Sequence, residues 1–170
     1  MIQHFLDYIA IERKYSQRTV EAYHDDLRDF CRFMGWEIGD FNPENVGEDD
    51  VKAWMLDMIE EQHQSPRSVK RKLSALRSFY KFLLRQKKVK RDITARIVPP
   101  KADKPLPVFF RPTEMETVTQ QDQWAEDFES IRDCLIIEML YQTGMRQAEM
   151  LGLQDANLDL QQGQVRIFGK

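Results

Sequence analysis

Histidine and cysteine are scarce in this chain, and one long stretch of it holds no acid at all. Cys31 and Cys134 lie far apart, each among apolar residues at helical spacing. That placement reads as two reduced core thiols and excludes a disulfide framework. His4, His24 and His63 have no metal-ligand spacing, so neither a metal nor a cofactor is expected. No apolar run approaches the ~20 residues of a membrane-spanning helix. The N-terminal stretch MIQHFLDYIAIERK breaks its apolar positions with charge, unlike a secretory signal. A cytoplasmic protein is expected. No internal repeat or low-complexity run is evident. The 170 residues allow one or two domains, and an apolar content of 42% is enough for a core.

The missing acid matters more. A formal net charge of −3 argues at first against a nucleic-acid partner, but the average hides segregation. From Gln62 to Arg91 there is no Asp or Glu, and that window holds eleven of the 25 basic residues. The remainder carries 14 basic against 28 acidic residues. One segment is therefore strongly positive within an acidic chain.

Four helices are expected in the first part. Ile2, Phe5, Leu6, Ile9 and Ala10 repeat at helical spacing. Ser16 caps a second helix whose apolar members are Val20, Tyr23, Leu27, Phe30, Cys31 and Met34, with Gly35 and Gly39 marking its end. Its outer face mixes Arg18, Arg28 and Arg32 with Glu21, Asp25 and Asp29, so most of it is a poor surface for DNA. Arg18 and Thr19 at its head are the candidates for DNA contact there. Glu48, Asp49 and Asp50 suit the start of a third helix. Val51, Trp54, Met55, Met58 and Ile59 form its inward stripe.

The fourth helix, from Pro66 to about Lys88, is the most informative. Ser65 followed by Pro66 is a strong start signal. At 100° per residue Val69, Leu73, Leu76, Tyr80 and Leu83 fall in one arc. Arg67, Arg71, Ser74, Ser78, Lys81 and Arg85 fall in the opposite arc, which holds no acid. Solvated helices ordinarily mix both signs. Small hydroxyls allow close approach to a groove, and Arg and Lys contact phosphates or guanine edges. Ser68, Lys70 and Arg77 complete the candidate set for duplex binding on this helix.

Residues 92–108, with Pro99, Pro100, Pro105 and Pro107, read as a linker. Thr113 and Glu116 form a capping-box pattern beyond it, and Gln120 to Phe128 reads as a loop. Glu129 or Ser130 then starts an apolar helix running to Tyr141. Gly144 breaks that helix, and Arg146 and Glu149 share one face of a short helix after it. Leu158 with Leu160 and Val165 with Ile167 flank Gln-Gln-Gly, a β-hairpin signal ending in Gly169-Lys170. An arginine at a helix start and a lysine at a hairpin end hold two cations rigidly, which suits phosphoryl chemistry. Taken singly, an Arg paired with Glu149 and a solvated turn lysine are the plainer readings.

The pattern as a whole tilts the balance. T-G-M-R-x-x-E-x-x-x-L, followed by a hairpin ending G-K, resembles the tyrosine recombinase (phage integrase) family, its Xer-like branch in particular. The run R-x-L-S-A-L-R-S-F-Y-x-F-L from Arg71 to Leu83 resembles the core-binding domain of the same family, in family order. The resemblance implies a mainly α fold: a four-helix SAM-like core-binding domain over 1–91, the linker, and a truncated α+β catalytic domain over 109–170. It implies that Arg146 contacts the scissile phosphate, that Lys170 protonates the leaving 5′-hydroxyl, and that Gly144 and Glu149 are structural members of the motif. Asn157 stands where many relatives carry Asp. Double-stranded DNA and further protomers in a tetrameric synapse are the implied partners, and the implied location is the nucleoid. The family's H-x-x-R, its second His or Trp and its C-terminal tyrosine nucleophile are not found here, so the chain alone is expected to be inactive. Two other readings remain open at this point. One is a helix-turn-helix-like regulator that only binds DNA. The other is a helical protein-interaction domain with a basic face.

Overall fold

A computed structural model describes residues 1–101, 106, 108–120 and 124–167. The chain divides into two compact units, Met1–Pro105 and Leu106–Lys170. Among the described residues no helix is long and apolar enough to cross a membrane.

The first unit contains α1 (Ile2–Ile11), α2 (Gln17–Phe33), α3 (Glu48–Glu60) and α4 (Pro66–Arg85), with two 3-10 turns between α2 and α3. The inward stripes expected from periodicity meet in one core. Phe5, Phe30, Val51, Trp54, Met58, Phe79 and Tyr80 are all at most 1% exposed. Phe30 meets Trp54 edge-on at 4.9 Å between ring centres, and Phe79 packs on both Phe5 and Phe41 at 5.2 Å. Such pairs add directionality to the burial of apolar area.

Two connections repeat one device. At the end of α1, Lys14 takes a left-handed φ of 52° and the Tyr15 amide donates to the Ile9 carbonyl. Ser16 then caps α2 by accepting from the Thr19 amide. At the end of α3, His63 takes φ 49°, the Gln64 amide donates to the Met58 carbonyl, and Ser65 caps α4 through the Ser68 amide. The internal repeat that the sequence conceals is thus one of backbone geometry, carried by Ser-x-Arg-Thr in one case and Ser-x-Arg-Ser in the other.

The stretch expected to be a linker does not begin free. Ile93 and Ile97 are buried in the helical core. Asp92 Oδ1 accepts from both the amide and the hydroxyl of Thr94, closing a turn that carries the two isoleucines inward.

The second unit contains α5 (Pro112–Thr119), α6 (Phe128–Thr143), α7 (Gln147–Leu151) and a two-stranded antiparallel sheet of β1 (Leu158–Asp159) and β2 (Gln164–Val165). α5 starts two residues earlier than the Thr113–Glu116 pattern predicts. Pro112 is its first residue, and Glu114 reaches back to accept from the Arg111 amide at 2.8 Å. α6 likewise starts at Phe128, because Asp127 caps it by accepting from the Ser130 amide at 2.9 Å. In the sheet Leu158 faces Val165 and Asp159 faces Gln164. Met115 and Met145 are the buried apolar side chains among the described residues of this unit, while Phe128, Ile131, Leu135 and Leu160 are more than half exposed.

Candidate nucleic-acid interface

α4 separates its two faces as its sequence predicts. Val69, Leu73, Leu76, Phe79, Tyr80 and Leu83 are buried. Arg67, Lys70, Arg71, Ser74, Lys81 and Arg85 are exposed, and Ser68 and Ser78 are half-buried. Arg18 is exposed at the head of α2, beside the half-buried Thr19, whose hydroxyl lies 2.8 Å from that of Ser16.

The cations on α4 are not equivalent. Arg71 donates from Nη1 to Asp26 on α2. Lys72 is 8% exposed and donates from Nζ to Asp29 Oδ2 at 2.7 Å. Arg77 is half-buried and donates from Nη2 to the Ile97 carbonyl, pinning the turn after α4. Arg85 donates to the Tyr8 hydroxyl at 2.7 Å, with its guanidinium carbon 5.7 Å from the Tyr8 ring centre. Among the described residues Arg67, Lys70 and Lys81 take part in no ion pair. The basic stripe therefore contains a held set and a free set. Arg77 belongs to the fold more than to the outer surface.

Sequence reasoning missed Asp26. It is 1% exposed although it carries a carboxylate. Burial pushes its pKa up, and Arg71, Lys72 and the hydrogen bond from Arg71 pull it only part of the way back. The signal was present in the sequence. Asp26 is three residues after Tyr23 and four before Phe30, so it lies on the inward stripe of α2. A carboxylate placed there requires a cation from the helix opposite.

In the second unit α6 ends on Gly144 at φ 65°, whose amide donates to the Leu140 carbonyl at 3.0 Å. The chain leaves extended, and Arg146 becomes the N-cap residue of α7. Glu149 holds it twice: Oε2 accepts from the Arg146 amide at 2.8 Å, and Oε1 accepts from Nη1 at 2.7 Å. Those two hydrogen bonds, the backbone one first, draw the Glu149 carboxyl below its ordinary range. The glutamate side chain is 16% exposed and that of the arginine 82%. A guanidinium has five N–H donors, and Glu149 takes one. An anion with two acceptor oxygens can be met by the rest. The hairpin that follows turns through Gly163 at φ 62°. Lys170, with residues 168–169, lies outside the described residues.

Residues 2–87 match the model of the phage integrase N-terminal SAM-like domain, and residues 109–170 match that of the phage integrase family. The chain is 36% identical over 170 residues to the tyrosine recombinase XerC of Roseiflexus castenholzii, covering 99% of this chain and 53% of that protein. It is 34% identical to the tyrosine recombinase XerD of Shewanella oneidensis, covering 100% of this chain and 55% of that protein. The chain thus spans about half the length of the curated relatives it matches. The structure of the Tn1549 transposon integrase in complex with transposon right end DNA shares the fold, with a TM-score of 0.66 and 20% identity over 94% of this chain and 49% of that one.

Proposed function

Because the chain belongs to the phage integrase family, we propose that it forms the DNA-binding portion of a site-specific tyrosine recombinase, one that breaks and rejoins DNA through a 3′-phosphotyrosine. In this reading residues 1–91 are the core-binding domain and 109–170 are the first part of the catalytic domain. Arg67, Lys70, Arg71, Ser74, Lys81 and Arg85 face the duplex, with Arg18 and Thr19 at the head of α2. Ser68 and Ser78 lie at the margin of that face.

The observation that carries the reading is Arg146, presented to solvent behind the left-handed Gly144 and gripped by Glu149 at backbone and side chain. A fork so held meets a phosphate without reorganising, and it opposes negative charge as the five-coordinate phosphorane forms. Lys170 is the general acid for the departing 5′-oxygen. The bond energy is conserved in the protein–DNA linkage, so the reaction requires no metal or nucleotide. The nucleophile is not among the tyrosines of this chain. Tyr80 is fully buried and its phenol is pushed up by burial, and Tyr8, Tyr15 and Tyr23 pack against the helical core. Tyr141 lies on α6, ahead of the arginine motif. In the whole recombinase four protomers synapse two duplexes on the nucleoid, in the cytoplasm.

The test pairs binding with chemistry. A radiolabelled duplex carrying a nick that traps covalent intermediates is mixed with the chain. The expected outcome is a retarded band on a native gel and no protein–DNA adduct on a denaturing one. Absence of duplex binding refutes the reading, and an adduct at any of the five tyrosines refutes the placement of the nucleophile elsewhere.

A further inference from the structure

Arg71 is the one outward cation of α4 whose partner is a deeply buried acid on another helix. Asp26 is 1% exposed, while the Arg71 side chain is 51% exposed, so the ion pair spans the boundary between core and surface. One N–H of the guanidinium points inward to Oδ2. The others are free for a partner outside. Lys72, next along α4, is tied to Asp29, one helical turn beyond Asp26 on α2. Two consecutive residues of α4 are thus bolted to one side of α2, and rotation of α4 about its axis is blocked at the position of Arg71.

As a stability device this arrangement is poor. Burial pushes the Asp26 pKa up, and the cations Arg71 and Lys72 pull it only part of the way back. A well-packed apolar pair at such a site is commonly as stable or more so. What the pair does supply is orientation. A free arginine samples many rotamers, while one anchored at a single N–H presents its outer edge in a fixed plane.

We infer that Asp26 is a positioning residue for DNA recognition, holding the Arg71 guanidinium so that its outward N–H edge meets a pair of acceptors on the duplex. The inference rests on the proposed binding face of α4. The acceptors are two phosphate oxygens or the O6 and N7 of a guanine, which share the bidentate geometry. The flanking Arg67 and Lys70 have no such anchor and serve as diffuse phosphate contacts.

The test is a double-mutant cycle on the 170-residue chain with D26N, R71A and the pair, plus D26E and R71K. Affinity is measured for a mixed-sequence duplex and for a duplex selected by the wild-type chain from a random pool. D26N is expected to weaken binding about tenfold when Arg71 is present and less than about twofold when it is absent. D26E should recover most of the loss, and R71K, which keeps the charge but not the fork, should lose nearly as much as R71A. If R71A alone does not fold, the cycle of D26N with R71K replaces it. A merely structural role for Asp26 would lower affinity equally in both backgrounds, and that result overturns the inference. A loss confined to the selected duplex assigns the acceptors to a guanine, and a loss common to both duplexes assigns them to phosphates. If R67A, K70A and K81A weaken binding while the cycle shows no coupling, the positioning role fails and the binding face stands. If none of these variants changes affinity, the face itself is refuted, and the positioning role with it.

Discussion

The Asp26–Arg71 pair predicts an asymmetry in stability that does not depend on any ligand. Arg71→Ala leaves a carboxylate that is 1% exposed without its principal counter-ion. Stranding a buried charge typically costs about 3–5 kcal/mol. Lys72 also lowers the Asp26 pKa, so part of the compensation survives, and a loss near the low end, about 3 kcal/mol, is expected. Asp26→Asn instead leaves a guanidinium that is half exposed and rehydrates, for a loss of about 1 kcal/mol or less. The pH dependence separates the two further. A carboxyl whose folded pKa lies above its unfolded value binds protons more readily in the folded state. Its charged form therefore subtracts stability once pH rises through the folded pKa, and the penalty is relieved as pH falls back through it. In Arg71→Ala that folded pKa rises further, so lowering pH from 7 should restore much of the loss. Urea unfolding from pH 5 to 7, followed by the fluorescence of Trp36 and Trp54, both packed in the helical core, in a Trp124→Phe background, measures both effects. Equal losses for the two variants, or a pH-independent loss for Arg71→Ala, would refute the account of Asp26 as a buried, cation-dependent acid.

Two further predictions concern the separate units. Arg67, Lys70 and Lys81, the free cations of α4, should dominate the salt dependence of duplex binding. Replacing all three by alanine should flatten the slope of log affinity against log salt by about 2.7, at about 0.9 per phosphate contact, and fluorescence-anisotropy titrations that show a change below about 1 would remove them from the interface. Gly144→Ala should destabilise the junction of α6 and α7 by about 1–2 kcal/mol, the cost of a left-handed L-residue. A Cβ there meets no atom within 4 Å, so the cost is backbone alone. Hydrogen exchange at the Met145 amide should accelerate about tenfold, and Gly144→Asn should recover part of the loss, whereas equal protection in all three proteins would deny the strain.

The helical unit was largely legible because its signals are local. Ser16, Ser65 and Pro66 announce helix starts, and the inward stripes of α1 to α4 repeat with helical period into the observed core. The motif around Arg146 was equally legible, since Gly144 and Glu149 act within five residues of it. What escaped is long-range. The capture of Arg71 by Asp26, of Lys72 by Asp29 and of Arg77 by the Ile97 carbonyl joins residues well separated along the chain, and periodicity carries no information on which helices face each other. The burial of Ile93 and Ile97 escaped for the same reason. A short stretch followed by prolines reads as a connection until a surface exists to receive its two isoleucines. The starts of α5 and α6 were misplaced by one or two residues because Arg111, held through its amide by the Glu114 carboxylate, takes the capping position in place of Thr113, and Asp127 caps α6 ahead of Glu129 and Ser130.

The repeated stop-and-restart between α1 and α2, and between α3 and α4, bears on the order of events when the chain folds. In each case a left-handed residue, one more residue and a capping serine reverse the chain using hydrogen bonds that span at most six positions. Closing so short a loop is fast, on the order of tens of nanoseconds, and needs no help from the remainder of the unit. Two helical hairpins can therefore form independently and early. The pairs from Arg71 to Asp26 and from Lys72 to Asp29 bridge 45 and 43 positions, and they exist only after one hairpin has docked on the other. The ion pairs therefore report the docking of one hairpin on the other, whereas the two capped turns report only the hairpins themselves.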